Sequence, residues 1–137
     1  MAIFANADQF YACTQALFAR IEAEDPHAAD KIMEERMIIR IHCTDPEAEF
    51  TINGRKHPPE TTFGPASGRP TLNIDMSADT LHSIMLGELG LKSALAQGKL
   101  QVRGPVWKVT ALVDLFHQLQ TMYPQVLREC QPDAGKP

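Results

Sequence analysis

Residues 70–109 read PTLNIDMSADTLHSIMLGELGLKSALAQGKLQVRGPVWKV, and this stretch decides the fold. Leu72, Ile74 and Met76 alternate with Asn73 and Asp75, a period of two that predicts a half-buried strand. At Ser77–Asp79 the period changes. Ser77 or Asp79 can cap a helix, whose apolar face is Leu81, Ile84, Met85 and Leu89, with Gly90 as the expected residue after its end. A second short helix presents Leu91, Ala94 and Leu95 and stops at Gly98. Lys99–Arg103 alternates again as a final strand. Strand, two helices and strand thus follow one another within forty residues.

Working outward, Met37, Ile39, Ile41 and Cys43 point one way and Ile38, Arg40 and His42 the other, which predicts an upstream strand. Asp45-Pro46 turns the chain. Phe50 and Ile52 alternate with polar residues in the next strand, which Asn53-Gly54 ends with a tight-turn signal. Pro58-Pro59 forbids regular pairing, and Thr61–Phe63 can form a short strand. Before these, Asn6 caps a helix with Gln9 three residues on and Phe10, Cys13, Leu17 and Ile21 on one face; Asp25-Pro26 ends it. Ala28, Ala29, Ile32 and Met33 suggest a short helix to follow. Past Gly104-Pro105, the spacing of Leu112, Leu115, Phe116, Leu119, Met122 and Tyr123 gives the clearest helix, which Pro124 is expected to interrupt. Strands grouped between helices argue for an α+β fold with an antiparallel or mixed sheet. Residues 1–130 are expected to form one domain, with 131–137 as a flexible tail.

The totals exclude several functions. A formal charge of −4 over 137 residues argues against a nucleic-acid surface, which needs a basic patch. Arg36 and Arg40, Arg55 and Lys56, and Lys99 and Arg103 are scattered, and no run is dense enough to suggest membrane-surface capture. No apolar stretch approaches the ~18 residues of a membrane span. The N-terminus, MAIFANADQF, lacks the basic and long apolar regions of a signal peptide. Cys13, Cys43 and Cys130 are an odd, widely spaced set, read as free thiols of a cytoplasmic protein. Cys13, on the buried helix face, reads as a small apolar residue.

Chemistry is scarce. His27, His42, His57, His82 and His117 form neither HxxxH nor HExxH, so no metal and no cofactor are expected. His42 and Cys43 project from opposite faces of a strand. His82 lies three residues from Asp79, a pair better read as an exposed helix contact, and Asp79 itself sits where an acid favours the helix dipole. No serine has a nucleophile-elbow context. A small enzyme built on His82 or His117 is the weakest reading. Met76, Met85 and Met122, with Trp107 and Phe116, are soft or large apolar groups that suit a lipid cavity or an ordinary core.

The ordered pieces Leu72–Met76, Ser77–Asp79, Gly87-Glu88-Leu89, Gln97-Gly98-Lys99-Leu100, Val102-Arg103-Gly104 and Ala111–Tyr123 resemble the sterol carrier protein type 2 family. The match covers about half the chain. Pro105 and Trp107 depart from it, standing where the family carries smaller or acidic residues. The resemblance implies an α+β fold in which a curved, mainly antiparallel sheet of about five strands is covered by helices, with an apolar tunnel. It implies non-enzymatic binding and transfer of a fatty acid, fatty acyl-CoA, sterol or quinone-like molecule, with at most transient membrane contact and a lipid-pathway enzyme as a further partner. Leu81, Ile84, Met85, Trp107, Leu112, Leu115, Phe116 and Leu119 would line the tunnel, and Gln97 would offer a hydrogen bond to a head group. The alternative is the same fold with a filled core, acting as an accessory module of a lipid or quinone pathway.

Overall fold

The structure is a computed structural model, which describes residues 6–25, 27–65 and 68–130; the expected tail, 131–137, lies outside them. In chain order the elements are α1 (Ala7–Glu24), α2 (Asp30–Glu34), β1 (Ile38–Thr44), β2 (Ala48–Asn53), β3 (Glu60–Phe63), β4 (Leu72–Ser77), α3 (Ala78–Met85), α4 (Leu91–Ala96), β5 (Leu100–Arg103), a 3-10 helix (Val106–Leu112) and α5 (Val113–Cys130). The sheet order is β3-β2-β1-β4-β5. Three of its four pairings are antiparallel, while β1 and β4 run parallel at its centre. The expected mainly antiparallel, five-stranded α+β fold is therefore the one observed.

Alternation gives the sheet two unlike faces. Ile39, Ile41 and Cys43 of β1, Phe50 and Ile52 of β2, and Leu72, Ile74 and Met76 of β4 are buried in one core with the helices. Helix α1 lies over β2 and β3, α3 over β1 and β4, and α5 packs along α1. The other face carries Arg40, His42, Glu49 and Asp75, joined by ion pairs: Arg40 Nε to Glu49 Oε2 at 3.3 Å and His42 Nδ1 to Asp75 Oδ1 at 2.9 Å.

Local signals hold at the starts of helices. Asn6 Oδ1 accepts from the Gln9 N–H at 2.9 Å and Ser77 Oγ from the Thr80 N–H at 3.1 Å, each satisfying an amide with no partner inside its helix. Helix ends differ from expectation in two places. Helix α3 stops before Gly90: Gly87 takes φ +79, and the Gly87 and Glu88 N–H groups bond the Ile84 and Ser83 carbonyls, both at 3.0 Å. That pair of bonds closes the helix in a Schellman motif, and Gly90 instead begins α4. Pro124, for its part, does not interrupt α5. It lacks the N–H that would reach the Gln120 carbonyl, but buried Val126, half-buried Leu127 and bonded Cys130 continue the packed stripe beyond it.

The cysteines correct the reading of three free thiols. Cys13 and Cys130 form a disulfide between α1 and α5, with Cα atoms 5.5 Å apart, and Cys43 alone is free and buried among the described residues. Their separation of 117 residues hid the pair from spacing arguments. Gly54 carries a second role besides its expected turn. It does follow β2 in a turn, but its lack of a side chain serves close packing: a Cβ there would lie 2.6 Å from the Ile32 carbonyl oxygen and 2.8 Å from that of Met37.

Two outcomes follow from this packing. Cys130→Ser should lower the unfolding free energy by about 2–5 kcal/mol, and reductant should do the same to the native chain in urea denaturation. Gly54→Ala should cost about 1–3 kcal/mol, because two backbone oxygens and the Cγ2 methyl of buried Ile32 oppose the new methyl. A wild-type midpoint in either assay would contradict the corresponding packing.

Candidate functional site

Two cavities adjoin α5. The first lies between α1 and the β2–β3 edge. Residues Gln15, Phe18, Ala19 and Glu22 recur at helical spacing on one flank of α1 and form one wall; Ile52, Thr61 and Phe63 form the other. Pro58, Pro59, Ala29 and Leu115 complete an apolar groove of about 220 Å³, with Glu22 and Asp25 among its few polar groups. Beneath it, Phe18, Phe50 and Phe63 pack with ring centroids 5.3–6.1 Å apart. Pro58-Pro59, which bars regular pairing, thus supplies part of the groove.

The second cavity, about 290 Å³, lies between α3, the start of α4 and α5. Ile84, Leu91, Val113 and Phe116 are its apolar lining, while Lys92, Ser93, His117 and Gln120 supply polar groups. Gln120 Nε2 donates to the Ile84 carbonyl at 2.9 Å. Leu115 and Phe116, neighbours in sequence, therefore border different cavities.

The expected lining residues are dispersed. Leu115 borders the first cavity, and Ile84 and Phe116 the second. Leu81, Met85, Leu112 and Leu119 are buried in the core and border neither of these two. Gln97 follows α4 and is exposed, and Trp107 is 75% exposed on the 3-10 helix. The flank of α1 and Phe63 were not singled out in the sequence. Phe18 lies one residue from the buried stripe of Leu17 and Ile21, and that widening of the stripe was the available signal.

No group of three or more His, Cys, Asp or Glu side chains that could hold a metal occurs among the described residues. The histidines of the sheet and of α3 sit among polar partners. His42 sits between Glu47, 2.7 Å from Nε2, and Asp75, 2.9 Å from Nδ1. The hydrogen bond to Glu47 raises its pKa, burial opposes the rise, and Asp75 adds to it. His82 instead faces the Tyr123 hydroxyl of α5 at 2.5 Å from Nδ1. Burial lowers its pKa against the pull of Asp79 and Glu88, and burial also raises that of Tyr123. Burial pushes the Cys43 thiol up to about 12, which keeps it protonated and unreactive.

The two imidazoles affect stability in opposite directions. The His42 contribution is full below the ordinary value of 6.5 and is lost as pH rises through its raised folded value. The His82 contribution is full above 6.5 and is lost as pH falls through its lowered folded value. Proton NMR titration should therefore find His42 titrating above 6.5 and His82 below it; the reverse order would refute both assignments.

The model of the SCP-2 sterol transfer family matches residues 18–117. Among solved structures, the chain is similar to sterol carrier protein domain 2 of Helicoverpa armigera, with a TM-score of 0.65 and 20% identity, over 82% of this chain and 89% of that one. It is similar to apo sterol carrier protein 2 of Yarrowia lipolytica, with a TM-score of 0.62 and 18% identity, over 88% and 95% respectively. It is also similar to the ubiquinone synthesis protein UbiJ-SCP2, with a TM-score of 0.53 and 14% identity, over 74% and 78%. At such identities these likenesses establish the fold. No curated protein matches it in sequence.

Proposed function

The chain belongs to the SCP-2 sterol transfer family, and on that premise we propose that it seats the hydrocarbon part of a lipid in the groove between α1 and the β2–β3 edge. Lipid binding and transfer are the family's general function; the seat and the cargo are the proposal. The observation that carries it is the lining: Phe18, Ile21, Ile52, Phe63 and Leu115 face one another with few polar groups between them. Each CH₂ removed from water there gains ~0.8 kcal/mol. At about 220 Å³ the groove is smaller than the ~300 Å³ at which ligand pockets begin, so it suits one acyl or isoprenoid chain better than a fused ring system. Glu22 and Asp25 disfavour an anionic head group beside them. Leu81, Ile84, Met85, Leu112, Phe116 and Leu119 belong to the core outside this groove's lining, and Gln97 and Trp107 are exposed. Transfer without covalent chemistry, toward an enzyme of a lipid pathway, completes the proposal.

A second reading, the same fold with a filled core acting as an accessory module, draws on one observation. The expected lining residues Leu81, Ile84, Leu112 and Leu119 are almost wholly inaccessible to solvent. The likeness to a ubiquinone synthesis protein accords with that reading.

Titration with a neutral fluorescent acyl lipid, together with native mass spectrometry, separates the two. Wild type should bind. Ala19→Trp, which fills the groove from an exposed helix position, should weaken binding about tenfold or more. Ser93→Trp, in the other cavity, and Ala23→Trp, exposed on α1 outside the groove lining, should leave it unchanged. Loss in Ser93→Trp alone would move the seat to the second cavity, and no binding by wild type would favour the filled core.

A further inference from the structure

Val106 and Trp107 are exposed large hydrophobics, at 43% and 75%, and they are adjacent in the chain. The exposure of Trp107 follows from the period of three in the 3-10 helix, while Val106, its first residue, is exposed although it shares the face of Val109 and Leu112. Val109 and Leu112 turn into the core, whereas Trp107 and Thr110 share the outer edge, with Thr110 Oγ1 donating to the Trp107 carbonyl at 3.0 Å. The approach to this helix is tightly held. Gly104 takes φ +115, and a Cβ there would lie 2.5 Å from the Thr71 carbonyl oxygen. The indole is thus presented outward by a packed turn.

The charge of the flanking sequence is equally uneven between Glu88 and Asp114. Residues 89–113 carry Lys92, Lys99, Arg103 and Lys108 and no acid, although the chain has 17 acidic residues and a net charge of −4. Arg103 comes just before the turn and keeps its side chain 76% exposed while pairing with Asp75 at 3.3 Å. Lys108 directly follows the indole.

We propose that Val106 and Trp107, flanked by Arg103 and Lys108, are the face by which this protein docks on an anionic bilayer. Trp settles at the boundary between water and lipid, its ring in the interface and its N–H hydrated. Cationic side chains beside it meet the negative surface of the membrane, each strengthening contact about fivefold. A stable protein interface buries about 800 Å² on each partner, and two apolar side chains are too few to centre one. A bilayer needs no matching pocket. With so few anchors the contact is reversible, as an exchanging carrier requires. The inference is independent of which cavity holds cargo.

Trp107 is the chain's single tryptophan, so its emission reports on this face alone. With phosphatidylcholine vesicles containing phosphatidylglycerol, the emission should shift to the blue, lipids with brominated chains should quench it, and high salt should reverse both changes. Trp107→Ser should lose co-sedimentation with these vesicles, and Lys108→Glu should weaken it about fivefold or more. Both positions lie outside the buried core, and circular dichroism checks that each variant is folded. Absence of a shift and of quenching with wild type would overturn the proposal. So would a shift that follows protein concentration without vesicles, which would assign the face to a second copy of the chain.

Discussion

Burial of Ile39, Ile41 and Cys43 on one side of β1 is the constraint on which the other elements depend. This strand pairs with β2 along one edge and β4 along the other, so its alternation sets the direction of every side chain in the sheet's middle. A slip of one residue would turn Arg40 and His42 into the core and the three apolar residues outward. The polar face opposes such a slip as well. Arg40 pairs with Glu49 on one neighbour and His42 with Asp75 on the other in the observed register. The helices then have a single apolar surface to cover.

Much of this was legible in the sequence, and the reason is local. Strand alternation at 37–43, 49–53 and 72–76, the caps at Asn6 and Ser77, and the spacing of Leu112–Tyr123 each act over a few residues. What was not legible acts over distance. The parallel pairing of β1 with β4 joins residues more than thirty positions apart. The Cys13–Cys130 bond spans 117. Gly87 and Gly90 are both credible ends for α3, and local pattern does not choose between them. Pro124 is a breaker by propensity, yet the apolar stripe that continues to Cys130 outweighs it. The resemblance implies Trp107 as a lining residue, whereas the three-residue period of its helix turns it out.

The same limit applies to the site. Periodicity says which residues leave water, but not whether they meet one another or border a space. Leu81, Leu112 and Leu119 were rightly apolar and are packed, whereas the α1–β3 groove arises from a tertiary approach. Its wall includes Ala19, exposed and without a pattern of its own, and Pro58-Pro59, whose inability to pair reads as a mere interruption until the helix opposite is in place.

Helix α5 connects these features. Its second half is fastened to the rest of the fold by the Tyr123 contact with His82, the Glu129–Arg20 ion pair at 2.6 Å and the Cys130 disulfide, while the Gln120 bond to Ile84 marks the end of its first two turns. Both cavities lie against its first two turns, on either side of Leu115 and Phe116. The 3-10 helix bearing Trp107 runs directly into those turns. Bonds concentrated toward one end of a helix fix that end and leave the other held mainly by apolar packing, which is non-directional. An apolar guest replaces such packing with contacts of the same kind, whereas a hydrogen bond or disulfide would have to be broken outright. The segment beside both cavities is therefore the part of α5 whose displacement costs least, and it is continuous with Trp107, the most exposed aromatic among the described residues.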